Sequence, residues 1–142
     1  MNNQQQNTHI SKEEMDAYAA EAQKRWGHTQ AFKQSQERVQ KMGQEGLNQV
    51  IAEAKALTEE VAKAMSQGFD PKSKLAQTLI SRHYTGLKAF YEPNLPLYRS
   101  MAKMYLDDPR FTANYEKIAP GLAQFMHDGM THFANTNEGT SI

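Results

Sequence analysis

The sequence predicts an all-α protein of about seven helices, and three observations carry that expectation. Between residues 44 and 67 apolar side chains recur at three- and four-residue spacing: Leu47, Val50, Ile51, Ala54, Leu57, Val61, Ala64 and Met65, with Glu and Lys on the opposite side. No run alternates apolar and polar residues for long enough to make a half-buried strand. Gly68, Pro71, Pro93, Pro96, Pro109 and Pro120 punctuate the periodic runs, as helix ends require.

In chain order, MNNQQQNTHI is polar and Asn/Gln-rich, and residues 1–10 are expected to form a disordered tail. Ser11 and Glu14 have capping-box spacing and open a helix to about Arg25, with Met15, Tyr18, Ala19 and Ala22 on one face. Trp26-Gly27-His28 breaks it. Thr29 caps a second, polar helix through about Met42. The strong helix at 44–67 follows and ends at Gly68. After Phe69-Asp70-Pro71 a further helix carries Leu75, Leu79, Tyr84, Leu87 and Phe90. Pro93 and Pro96 then interrupt regular structure. Leu97, Met101, Met104 and Tyr105 form the next helical face. Asp107-Asp108-Pro109 is a turn whose carboxylates cap the short helix Phe111 to Ile118, with Arg110 pairing to one of them. Pro120 starts the last helix.

The two ends of this arrangement differ. Before Met42, Trp26 and Phe32 are the only large anchors; after Leu47 the aliphatic and aromatic density rises. The expected organisation is one domain over 11–142, with N-terminal helices at 11–42, a helical core at 43–135 and a tail at 136–142. Two readings of the N-terminal helices stay open. They order over a ligand, or they pack permanently on the core.

Composition narrows the function. The 142 residues carry 16 basic and 16 acidic side chains, so no net field draws nucleic acid or an anionic membrane. There is no cysteine, which removes disulfides, thiol nucleophiles and thiolate metal sites. The first residues lack the basic start and apolar centre of a signal peptide, and no apolar run approaches the ~20 residues that span a bilayer. The expectation is a soluble cytoplasmic protein that neither enters a membrane nor binds DNA through this chain.

Enzyme signatures are missing: no phosphate-cradling loop, no HExxH, no GxSxG. His127 and His132 are five apart, on different faces of a helix, and make a poor metal pair. Arg82-His83 has no nucleophile or paired acid beside it. No cofactor is expected. The C-terminal half instead concentrates Tyr84, Phe90, Tyr91, Tyr98, Met101, Met104, Tyr105, Phe111, Tyr115, Phe125 and Met126. Such a stripe serves either as core or as a surface for bulky heterocyclic ligands. The helix-breaking run 92–96 gathers unpaired backbone groups beside Phe90, Tyr91 and Tyr98, which favours a cleft edged by aromatics there.

Three runs, RWGHTQAF at 25–32, FYEPN at 90–94 and YLDDPRFTANYEKIAPGLAQF at 105–125, resemble the TipA-S family, from roughly Tyr18 to Asn135. That family is the antibiotic-recognition domain at the C-terminus of thiostrepton-induced MerR-type regulators. The resemblance implies a globin-like fold without haem, a cleft for large heterocyclic or peptide-derived antibiotics, and an N-terminal part that is flexible until ligand arrives. Carried over by motif, Trp26, His28 and Phe32 should close over the ligand. His83, Leu87, Phe90, Tyr91, Asn94, Tyr98, Met101, Tyr105, Phe111 and Tyr115 should border the cleft.

Two departures qualify the resemblance. Thiostrepton-binding members carry a Cys in the turn where this chain has Asn94; an amide is not a nucleophile, so capture is expected to be reversible. A winged helix and a dimerisation helix would precede the domain in a complete regulator, whereas few residues precede Trp26 here. With Met1 and no tag, the expectation is a stand-alone binder that sequesters or senses drug. The alternative is a ligand-responsive module acting on a separate regulator.

Overall fold

Thr29 opens the first helix as its residue type predicts. In the computed structural model, which describes residues 27–139 together with Ala20 and Lys24, its hydroxyl oxygen accepts the Phe32 backbone N–H at 3.2 Å. The expected helix from Ser11 to Arg25 lies outside the described residues except for Ala20 and Lys24, which are helical. From Thr29 the chain runs as α1 (Gln30–Ser66), α2 (Lys74–Gly86), a 3-10 turn (Leu87–Ala89), α3 (Leu95–Asp107), α4 (Pro109–Glu116) and α5 (Leu122–Thr136). Among the described residues there is no strand.

The 37 residues of α1 are two helices joined at Gly43, whose φ of 73° and ψ of 177° leave the helical region. Only glycine adopts that backbone readily, so the break falls where the sequence divides the Thr29 helix from the apolar one. At the far end Gly68 has φ 88°. The Phe69 N–H bonds to the Ala64 carbonyl at 3.1 Å and the Gly68 N–H to the Met65 carbonyl at 3.0 Å. This double bond pattern satisfies carbonyls that would otherwise end the helix unpaired.

The core joins the C-terminal part of α1 (Leu57, Val61, Ala64) to α2 (Ala76, Leu79, Ile80, Tyr84), α3 (Tyr98, Ala102, Tyr105) and α5 (Leu122, Phe125, Met126, Met130, Phe133). The most extensive packing is between α3 and α5, followed by α1 against α2. Gln77 braces the same region, donating to the Pro71 carbonyl at 2.8 Å and the Gly129 carbonyl at 3.0 Å.

Several elements differ from expectation. Five α-helices are described where about seven are predicted; the Gly43 break accounts for one, and the Ser11–Arg25 helix is outside the described residues. The apolar stripe of α1 is buried only from Leu57 onward, and Ile51 remains 53% exposed. The helix expected to carry Phe90 stops at Gly86, with Leu87 in a 3-10 turn and Phe90 just beyond it. Leu75 faces solvent while Ala76, Leu79 and Ile80 are buried. Pro120 does not start the last helix. Gly121, at φ 90°, turns the chain first. Glu116 then reaches across to accept the Gly121 and Ala123 N–H groups at 2.8 and 3.1 Å, which lowers its pKa.

Asp108 is the whole link between α3 and α4. Its Oδ1 accepts the Arg110 N–H at 3.0 Å, while Oδ2 pairs with the Arg110 guanidinium at 3.3 Å. Asp108→Ala removes this cap and is expected to lower unfolding free energy by about 1–2 kcal/mol, read by urea denaturation.

Candidate functional site

Helix α3 is apolar on two faces, and the core covers only one of them completely. Tyr98, Ala102 and Tyr105 point to α5 and α2 and are buried. Leu97, Met101 and Met104 follow the same three- and four-residue spacing on a neighbouring face. Thr29, which caps α1, and Ala31, Phe32 and Ser35 from its first part line one slot with them, together with Tyr91 and Ser100. The result is a mainly apolar slot of about 270 Å³.

A second hollow of about 560 Å³ is lined by Ser100, Lys103, Met104, Asp107, Asp108, Pro109 and Arg110. Ser100 and Met104 border both hollows. Both hollows thus lie along α3, whose stretch from Leu97 to Asp107 is roughly 15 Å at the helical rise. The larger hollow is shallow and charged, and Lys103 sits only 4.0 Å from Asp107 in an exposed pair. Such pairs contribute little. The slot has the apolar lining that desolvates a ring, so it is the stronger binding feature.

The candidate residues divide into three groups. Phe32, Tyr91 and Met101 line the slot together. Burial beside Tyr84 raises the Tyr91 phenol pKa, so the ring enters the slot neutral. Tyr98 and Tyr105 are instead buried in the core. Tyr105 stacks on Tyr115, centroids 4.6 Å apart, and on Phe111 at 6.2 Å, and its hydroxyl meets that of Tyr115 at 2.9 Å. Leu87 packs on the core from the 3-10 turn. Phe90 is half-buried beyond that turn, outside the slot lining. Asn94 is exposed and caps α3, its Oδ1 accepting the Leu97 N–H at 2.9 Å. His28 is exposed in the turn before α1, and Trp26 lies outside the described residues.

His83 lies beside Tyr98, outside the slot lining. Its Nδ1 is 2.7 Å from the Tyr98 hydroxyl, and burial pushes its pKa down to about 4. Near neutral pH it is uncharged. Nδ1 then accepts the Tyr98 proton, because the competing Ile80 carbonyl is 3.5 Å away. Arg82 makes a forked pair with Glu60 at 3.0 and 3.1 Å. Neither side chain points to acid–base chemistry at the slot. Among the described residues no three His, Cys, Asp or Glu side chains could hold a metal ion, and no helix is long and apolar enough to cross a membrane.

Sequence reasoning did not place Leu97 in the slot and gave Met104 only as part of the aromatic and methionine stripe; Thr29, Ala31, Ser35 and Ser100 were not named as slot residues. The signal for the first two is the double apolar face of α3: a helix with two such faces requires two coverings, and the core supplies one.

Comparison with known proteins places these features in context. The model of the TipAS antibiotic-recognition domain matches residues 18–133. The HTH-type transcriptional activator TipA of Streptomyces coelicolor, and likewise that of Streptomyces lividans, is 31% identical over 116 residues, 81% of this chain and 46% of the relative. The HTH-type transcriptional regulator SkgA of Caulobacter vibrioides is 33% identical over 94 residues, 65% of this chain and 37% of that one. The chain thus spans less than half the length of these relatives. Among solved structures, TipAS of Streptomyces lividans in complex with nosiheptide, from a thiopeptide multidrug resistance system, is similar with a TM-score of 0.80 and 28% identity. That match covers 91% of this chain and 97% of that one.

Proposed function

Because the chain belongs to the TipAS antibiotic-recognition family, we propose that it captures bulky, largely apolar antibiotics of the thiopeptide kind reversibly in the slot along α3. Such capture lowers free drug or reports its presence. The observation that carries this reading is the slot itself: Phe32 and Tyr91 share an apolar gap with Met101 and Met104, which the core leaves only partly covered. At about 270 Å³ it takes one or two aromatic rings. The remainder of a larger ligand lies over the open groove toward Lys103 and Arg110.

The chemistry of the lining explains why binding needs no catalysis. Tyr and Phe give flat contact area at small entropy cost, and two Met side chains adapt their shape to differing drugs. With no thiol in the chain, Asn94 at the turn caps α3, and affinity rests on burial. The sensing variant, in which the occupied chain acts on a regulator, is favoured by the matched relatives being HTH-type regulators.

Calorimetric titration with nosiheptide tests the reading. Tyr91→Ala should weaken binding about tenfold, a typical loss for an aromatic anchor. Its thermal midpoint should stay near that of the wild type, since Tyr91 is outside the core. Unchanged affinity in both Tyr91→Ala and Phe32→Ala would remove the slot as the binding site.

A further inference from the structure

The wall of the slot that carries Phe32 is attached in an unusual way. Every buried residue of α1 lies beyond Gly43, so residues 30–42 contribute nothing to the core. Covalently this segment meets the core-forming part of α1 only through Gly43. A Cβ on Gly43 would meet nothing within 4 Å, so packing does not fix the bend.

The segment is instead fastened by polar bonds to the turn that carries Tyr91. Arg38 Nη1 donates to the Lys88 carbonyl at 2.7 Å, and its Nη2 lies 3.4 Å from Glu92 Oε2. Gln34 Oε1 accepts the Glu92 N–H at 2.9 Å. Gln34 and Arg38 are four apart, so they leave α1 on one face and grip the turn on both sides of Tyr91. The Lys88 carbonyl belongs to the 3-10 turn that ends α2, where backbone acceptors lack partners and attract a cation.

We propose that Arg38 and Gln34 are the positioning residues of the slot: they clasp the 88–92 turn, hold the Phe32 wall against Tyr91, and set ligand affinity through pre-organisation. This rests on the binding reading above. A ligand binding only the closed arrangement has its apparent affinity reduced by the closed fraction, so losing the clasp weakens binding without removing a ligand contact. The backbone bonds dominate, because the exposed Arg38–Glu92 ion pair alone is weak.

The test uses Arg38→Ala, Arg38→Lys, Gln34→Ala and Glu92→Gln in the full chain, with two readouts. Amide hydrogen exchange without ligand should quicken across residues 30–42 in Arg38→Ala and Gln34→Ala while α5 keeps its protection. The apparent affinity for N-phenyl-1-naphthylamine, an uncharged fluorescent probe of slot size, should fall roughly tenfold in Arg38→Ala. Arg38→Lys, which keeps one donor of the fork, should recover part of it. Glu92→Gln, which leaves the backbone bonds intact, should stay near wild type. Unchanged exchange in residues 30–42 of both alanine variants overturns the clasp. Should the wild type take neither this probe nor nosiheptide, the binding reading fails, and the exchange result alone still decides whether the clasp holds the wall.

Discussion

Replacing Tyr98 with Ala is expected to lower the unfolding free energy by roughly 3–5 kcal/mol, the range for truncating a large buried aromatic. Tyr98 is only 1% exposed. Its ring meets Tyr84 edge-on at 4.9 Å and Phe133 at 5.8 Å, so it ties α2, α3 and α5 at one point. A void there cannot collapse without moving three helices. Tyr98→Phe separates ring from hydroxyl: it keeps the packing but leaves His83 Nδ1 without its 2.7 Å partner, at an expected cost of about 1–3 kcal/mol. Urea denaturation followed by circular dichroism reads both. An alanine variant within about 1 kcal/mol of wild type would mean that the Tyr98 ring does not serve the core.

The second large effect is a loss of stability in mild acid that belongs to His83. Its folded pKa, near 4 because of burial, lies below the usual value of 6.5. Between those two values the unfolded chain binds a proton that the folded chain refuses, so stability rises with pH across that window. On acidification the contribution begins to fall near pH 6.5 and is lost by about pH 4, a decline of roughly 3 kcal/mol. Glu116, whose carboxyl the Gly121 and Ala123 N–H groups hold below its usual value, also weakens the fold on acidification, so the comparison must isolate His83. His83→Gln removes the titrating ring. Between pH 7 and 4.5 that variant should lose distinctly less stability than the wild type. Equal losses would show that His83 takes its proton in the folded state at an ordinary pH.

Three helix ends were legible in the sequence, because local chemistry sets them, whereas the end of α2 at Gly86 and the start of α5 at Leu122 were not. Thr29, Gly68 and Asp108 act where their residue types predict, through a side-chain cap, a left-handed turn and a second cap. Partner choice was less legible. Tyr98 and Met101 sit three residues apart on a helix with apolar side chains on adjoining faces, and composition cannot say which face meets the core. In the fold Tyr98 is fully buried in the core, whereas Met101 rests on the core's edge and also lines the slot. The same uncertainty extended the core stripe of α1 back to Leu47, although burial begins at Leu57. At Asn94 the motif position suggested the cleft, and the structure adds a capping bond to the Leu97 N–H that the motif does not show.

Methionine methyl NMR during a nosiheptide titration tests ligand capture along α3 most directly, because the eight methionines include both slot and core positions. Met101 and Met104 line the slot, whereas Met126 and Met130 are fully buried between helices. Capture in the slot predicts saturable shifts of the Met101 and Met104 methyls with Met126 and Met130 unmoved. Saturable binding that leaves Met101 and Met104 undisturbed, or no shift at any methyl, would contradict it.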